Sequence, residues 1–196
     1  MRHVAASMSV EDVIRRRASV RAYVPGKLPW ATISDILSAA VRASTAMDTQ
    51  PWAFAVVQDA DLLKRISDRA RLLFAEEPHP ELLHRGVHAL DVFSKPDFNV
   101  FHDAGTLIVI GSQTQGRFVT ADCWLAAGNL MLQACAMGLG TCVIGSAIDA
   151  LNLSEVKAEI GVPDDFTAVA PVVVGEAAAS VPPTPRSEPR VLTWIV

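Results

Sequence analysis

Arg15-Arg16-Arg17-Ala18-Ser19-Val20-Arg21 places four arginines within seven residues of a chain whose net charge is −4. Farther on, Ser44-Thr45-Ala46-Met47-Asp48-Thr49-Gln50-Pro51-Trp52 is a polar loop that closes on Pro-Trp, at the head of an apolar run. A cationic cluster on an acidic protein points to a localised anion site, not to a generally basic surface.

Outward from the arginines, Ser9 caps a first helix, with Asp12 three residues on as a short relative of the capping-box acid, and that helix runs to about Arg17. Val20, Ala22 and Val24 then alternate with Ser19, Arg21 and Tyr23, which predicts a half-buried strand ended by Pro25-Gly26. A second helix starts near Pro29, with Ile33, Ile36, Leu37, Ala40 and Val41 as one apolar stripe. Residues 52–57 read as a strand, and 59–74 as a helix with Leu62, Leu63, Ile66 and Leu73 facing inward. Prolines 78, 80 and 96 punctuate the stretch 76–99, where a short helix is expected over 81–93. Residues 106–110 form a buried strand. Residues 119–137 form a long helix, apolar nearly all round and therefore central, stopped by Gly138 and Gly140. A strand or extended chain over 141–145 follows, then a helix over 154–160 closed by Gly161, and a last buried strand over 168–174. Helices and strands mixed without regular βαβ alternation argue for an α+β fold.

At 196 residues the chain fits one domain, 1–196, whose last part, 176–196, is an arm held extended by Pro182, Pro183 and Pro185. Its tip, Val191-Leu192-Thr193-Trp194-Ile195-Val196, is too apolar to stay in water and must dock on its own body or, as the composition favours, on a neighbour. Apolar residues make up 51% of the chain and charged residues only 19%, a surplus that suits a subunit interface. Membrane insertion is not expected, because Asp122, Asn129 and Gln133 interrupt the longest apolar stretch. Residues 1–7 lack the apolar run of a secretory signal, and Cys123, Cys135 and Cys142 form no C-x-x-C pair. Reduced thiols in a cytoplasmic protein are the expectation. A pI near 5.7 argues against nucleic-acid binding.

Ser19 and Arg21, two apart on an extended segment, would share a face with Arg17 just before them. Two guanidiniums and a hydroxyl there could hold a phosphate, whose oxygens match the arginine fork. Equally, cations at a helix C-terminus are favoured by its dipole with no ligand at all. Gly138-Leu139-Gly140 follows a helix and lacks the G-x-G-x-x-G spacing, so it is no dinucleotide fingerprint. Val143-Ile144-Gly145-Ser146 can instead present backbone to a flat ligand. Glu81, His84 and His88 could share a helix face, but Gly86 interrupts it and no further ligand is evident, so no metal is expected. There is no nucleophile–base signature, which leaves the chemistry to a cofactor.

Arg-x-Ser-x-Arg after a short helix, with the Ser/Thr-rich loop ending Gln50-Pro51-Trp52, resembles the FMN-dependent nitroreductase family. Asp122 to Ala134 is similar to that family's long dimer-core helix, and it runs into Met137-Gly138-Leu139-Gly140-Thr141-Cys142-Val143-Ile144-Gly145. Val173-Val174-Gly175, the proline-rich tail with Arg186, and Trp194 complete the order. The resemblance implies a nitroreductase-like α+β fold, with a mainly antiparallel central sheet flanked by helices and an arm that crosses to a homodimer partner. It implies non-covalent FMN at each of two interface sites. Arg17, Ala18, Ser19 and Arg21 would hold the phosphate and ribityl chain, with Arg21 alternatively at the pyrimidine edge. Ser44, Thr45, Ala46 and Asp48 would approach from the other subunit, Ile144, Gly145 and Ser146 would line the ring, and Arg186 would close the phosphate site.

Asp48 departs from the family's usual Asn, and a carboxylate near a phosphate would repel it. Ser44-Thr45 replaces the usual Pro-Ser. The implied reaction is ping-pong hydride transfer from NAD(P)H through the flavin to a nitroaromatic, quinone or similar small acceptor, with no catalytic side chain required. Enoyl-type reduction, dehalogenation, flavin fragmentation, or flavin binding and sensing with little turnover are the alternatives.

Overall fold

The computed structural model describes residues 8–76 and 91–196. Its elements in chain order are α1 (Val10–Arg16), α2 (Trp30–Ala40), β1 (Ala53–Val57), α3 (Ala60–Glu76), β2 (Leu107–Ser112), α4 (Val119–Ala136), β3 (Gly140–Val143), α5 (Ile148–Leu151), α6 (Ser154–Ile160) and β4 (Thr167–Gly175). The strands form one antiparallel sheet in the order β1-β2-β4-β3.

Both faces of this sheet are covered, which explains why its inner strands read as continuous apolar runs. All six residues of β2 are buried. Leu107 and Val109 point into one core with Leu63, Ile66 and Ala70 of α3 and Ala150, Leu151 and Val156 of α5 and α6. Ile108 and Ile110 alternate to the other face and meet Ile33, Ile36 and Ala40 of α2 and Cys123, Ala126, Ala127 and Leu130 of α4. The β2–β4 register shifts between Ile110 and Gly111. A Cβ on Gly111 would stand 2.2 Å from the Thr167 carbonyl oxygen, so only glycine permits that bulge.

The helix ends follow local chemistry. Ser9 accepts the Asp12 N–H at 3.1 Å as the cap of α1. Asp59 does the same for Leu62 ahead of α3, at 2.8 Å. At the end of α4, Gly138 turns left-handed (φ 78°) and Leu139 N–H bonds back to the Ala134 carbonyl at 2.9 Å, a Schellman closure. Gly161 ends α6 the same way, at φ 73°.

Two expectations need revision. The segment 19–24 is extended, but it makes only isolated bridges, Ser19 to Thr141 and Tyr23 to Ala177. Its buried residues are Val20 and Tyr23, while Ala22 and Val24 are exposed. The period-two pattern fails there because the segment crosses from β3 to the start of the arm and pairs fully with neither. Next, α4 is central on one side only: Trp124 and Leu125 stand exposed, Leu125 by 52%. Of the two places expected for the arm tip, the chain's own body, the less favoured one, is not used, and Trp194 is 81% exposed. The helix expected over 81–93 lies largely outside the described residues. No helix among the described residues is long and apolar enough to cross a membrane.

Candidate functional site

The arginine segment lies along β3. Val20 N–H donates to the Thr141 carbonyl at 2.9 Å, and Val24 N–H donates to Glu176 at the root of the arm, also at 2.9 Å. Close approach depends on Gly140, where a Cβ would fall 2.7 Å from Val20 Cγ2. The buried Tyr23 hydroxyl donates to the Val20 carbonyl at 2.9 Å and pins the same turn.

Between this segment, the end of α4 and the arm root is a cleft of about 230 Å³. Arg16, Arg17, Ala18, Gly140, Thr141, Ala179 and Ser180 are among its walls, and among the described residues no carboxylate lines it. Arg17, half-buried, is the C-cap of α1, and Ser19 follows it, also half-buried. Arg15 is turned to solvent and paired with Glu11. Arg16 is exposed and Arg17 half-buried, and the guanidinium is a donor type that suits an anion.

Arg21 faces a different depression of about 430 Å³, lined also by Tyr23, Lys95, Asp97, Asn99, His102 and Asp103. Both arginines nevertheless bear on β3. Burial pushes the Cys142 thiol up, and Arg21 and then Arg17 oppose that rise. Burial pushes the His102 imidazole down, Arg21 adds to this, and Asp103 opposes it. His102 and Asp103 are both left-handed, at φ 54° and 60°.

The loop 44–50 lies across a third cleft, of about 490 Å³, between Trp52 and the segment 113–119. Met47, Asp48 and Gln50 have φ of 54°, 54° and 47°, a local concentration of backbone strain that non-glycine residues rarely carry. Thr45 holds the loop by accepting Gln50 N–H at 3.3 Å, and Asp48 accepts the Gln50 amide at 3.0 Å. Among the described residues no arginine pairs with Asp48. The anchor of the loop to the body is Asp122, whose Oδ1 accepts Ala46 N–H at 3.1 Å.

Ile144, Gly145 and Ser146 continue from β3 into a turn over Gly145–Ala147. Ile144 is buried, and its N–H bonds to the Pro171 carbonyl at 2.9 Å. Gly145 is exposed, with nothing within 4 Å of where a Cβ would stand. Arg186 is exposed on the arm.

The residues singled out from sequence thus fall into separate groups on one chain, and none of these clefts holds them all. Asp122, which anchors the loop, was not singled out from the sequence as a site residue. Its signal was available: it is the one acidic side chain in the apolar α4. Glu81, His84 and His88 lie outside the described residues. Among the described residues no group of three or more His, Cys, Asp or Glu is placed to hold a metal.

Residues 14–176 match the sequence model of the Nitroreductase family. An iodotyrosine deiodinase of Thermotoga neapolitana is 25% identical over 180 residues, covering 90% of this chain and 93% of that protein. An NADH dehydrogenase of Thermus thermophilus is 25% identical over 195 residues, covering 91% and 92%. The fold matches that of a nitroreductase with bound FMN from Bacteroides fragilis at a TM-score of 0.79 and 23% identity, over 96% of this chain and 99% of that one.

Proposed function

The chain belongs to the nitroreductase family, and from that premise we propose that it is an FMN-dependent oxidoreductase acting as a cytoplasmic homodimer of single-domain subunits. Non-covalent FMN would supply the two-electron chemistry, taking hydride from NAD(P)H and passing it to a nitroaromatic, a quinone or a similarly electron-poor small molecule in a ping-pong cycle.

The observation that carries this reading is the cleft lined by Arg16, Arg17, Thr141 and Ser180, with no carboxylate among its described residues and Ser19 adjacent in the chain. The donor set fits a phosphate ester, because guanidinium forks and a hydroxyl match its oxygens. Arg17, Ala18 and Ser19 would hold the phosphate and ribityl chain. Arg21, in the adjoining depression, would favour negative charge at the pyrimidine edge of the ring. Ile144, Gly145 and Ser146 would offer backbone to the ring face, and the open space at Gly145 suits close approach of a flat group.

Ser44, Thr45, Ala46 and Asp48 would come from the second copy, with Arg186 on the crossing arm closing the phosphate end. Support for assembly lies in the apolar residues one chain leaves uncovered, on α4 and at the arm tip. Asp48 keeps its carboxyl engaged with Gln50, which turns its charge toward the loop itself.

The test is direct. Purified protein should carry or take up FMN, showing flavin absorbance that heating releases. Anaerobic NADH or NADPH should bleach that absorbance, and a nitroaromatic or quinone should restore it. Protein that takes up no FMN, or a bound flavin that stays oxidised with either nucleotide, would overturn the proposal.

Reductive dehalogenation on the same flavin is a second reading, favoured by the likeness to iodotyrosine deiodinase over nine-tenths of the chain. Iodide released from iodotyrosine under anaerobic reducing conditions would select it.

A further inference from the structure

The loop at 44–50 carries three left-handed non-glycine residues, a conformation that persists only where surrounding structure holds it. Its tie to the rest of the chain runs through Asp122. That residue is 3% exposed, on a helix face it shares with Cys123, Ala126 and Ala127. Oδ1 accepts Ala46 N–H, whereas Oδ2 is fully buried with no hydrogen-bond partner among the described residues. A buried carboxyl oxygen without a donor is unfavourable, and an apolar side chain at that place would escape the penalty.

We infer that Asp122 is a positioning residue for the loop, and this rests on the FMN reading above. Oδ1 fixes the loop through Ala46, and Oδ2 is the acceptor for a second loop donor when the loop seats against the flavin of a partner copy. Donors are at hand in the chain itself: the Ser44 hydroxyl and the Met47 N–H flank the bond already made. A carboxylate suits this task because it offers two acceptor oxygens, while an amide offers one and puts a donor where the other stood. The loop's strained backbone would then be held from one side by α4 and from the other by the flavin.

The test compares full-length wild type with Asp122→Asn and Asp122→Ala. Two quantities are read: the melting temperature without FMN, and the FMN dissociation constant by flavin fluorescence. Asp122→Asn can still accept Ala46 N–H, so its melting temperature should match or exceed wild type. Its FMN affinity should fall about tenfold or more, the worth of a hydrogen bond to a charged group. The visible circular dichroism of the flavin that does bind should change with it. Asp122→Ala should lose on both counts.

Asp122→Asn that binds FMN within twofold of wild type would overturn the inference. So would melting temperature and affinity falling together in that variant, which would assign Asp122 to the fold alone. Ala46→Pro removes the donor from the opposite side, and Thr45, at φ −129° and ψ 150°, already has the backbone that precedes proline. It should also weaken FMN about tenfold, and unchanged affinity would count against the inference even if Asp122→Asn failed to fold. Wild type that takes up no FMN overturns the underlying reading and this inference together. Wild type that binds, with both variants unchanged, overturns this inference alone.

Discussion

Gly140→Ala tests whether the close packing of the arginine segment on β3 is what builds the cleft at Arg16 and Arg17, the proposed phosphate site. The new methyl would lie 2.7 Å from Val20 Cγ2, 2.9 Å from its Cβ and 3.0 Å from its Cγ1. Carbon atoms prefer about 3.5–4.0 Å, so three contacts are too short at once. Valine cannot swing clear, because branching at Cβ leaves its χ1 stiff. Residues 18–20 must therefore shift as a unit, which overpacking series put at roughly 1–3 kcal/mol. Stretching the Val20–Thr141 hydrogen bond adds up to about 0.5–1.5 kcal/mol. Lower entropy of the unfolded chain returns about 0.4–1 kcal/mol. The net loss is on the order of 1–3 kcal/mol, or a fall of roughly 3–10 °C in melting temperature for a chain of this size. Differential scanning calorimetry reads the first effect, and FMN titration reads the second, a weaker phosphate site as Arg17 and Ser19 move with the segment. A variant that melts within a degree of wild type and binds FMN equally would refute the claim that this contact positions the arginines.

Arg17→Ala should weaken FMN binding by about tenfold to a hundredfold, since hydrogen bonds to charged groups are worth roughly 1.5–3 kcal/mol; equilibrium dialysis against FMN measures it, and unchanged retention would put the phosphate elsewhere. Burial raises all three thiols, pushing Cys123 up to about 11 with Asp122 as a further cause, so the reactive thiolate is scarce in the native state at pH 8. Ellman's reagent should label native protein slowly, at half-buried Cys135 first, and all three after denaturation; rapid native labelling of Cys123 would contradict this burial. A chain ending at Ser187 loses Val191, Leu192, Trp194, Ile195 and Val196, all exposed on the single chain. For the proposed homodimer, the dissociation constant should rise about a hundredfold or more, given roughly 1.5–3 kcal/mol per buried large apolar side chain. Sedimentation that gives the same dimer constant for both lengths would exclude the tip from the interface.

Local signals were legible where one short stretch carries both cause and effect. Ser9, Gly138 and Gly161 announce helix ends because capping and left-handed turns use neighbouring atoms only. Residues 107–110 and 168–174 announce buried strands because a sheet covered on both faces needs apolar residues at every position. The segment 19–24 misled for the opposite reason. Its alternation was real, but burial of Val20 and Tyr23, three apart, is set by Gly140 on one side and Gly175 on the other.

Taken by itself, the order of residues determined most element types and the α+β class, since each depends on periodicity or capping along a few neighbouring residues. Only the tertiary structure decided that β4 lies between β2 and β3, that Arg17 and Arg21 open onto different hollows, and that Asp122 reaches Ala46. Those facts join residues far apart in the chain. Their energies come from packing and burial, which no local pattern encodes.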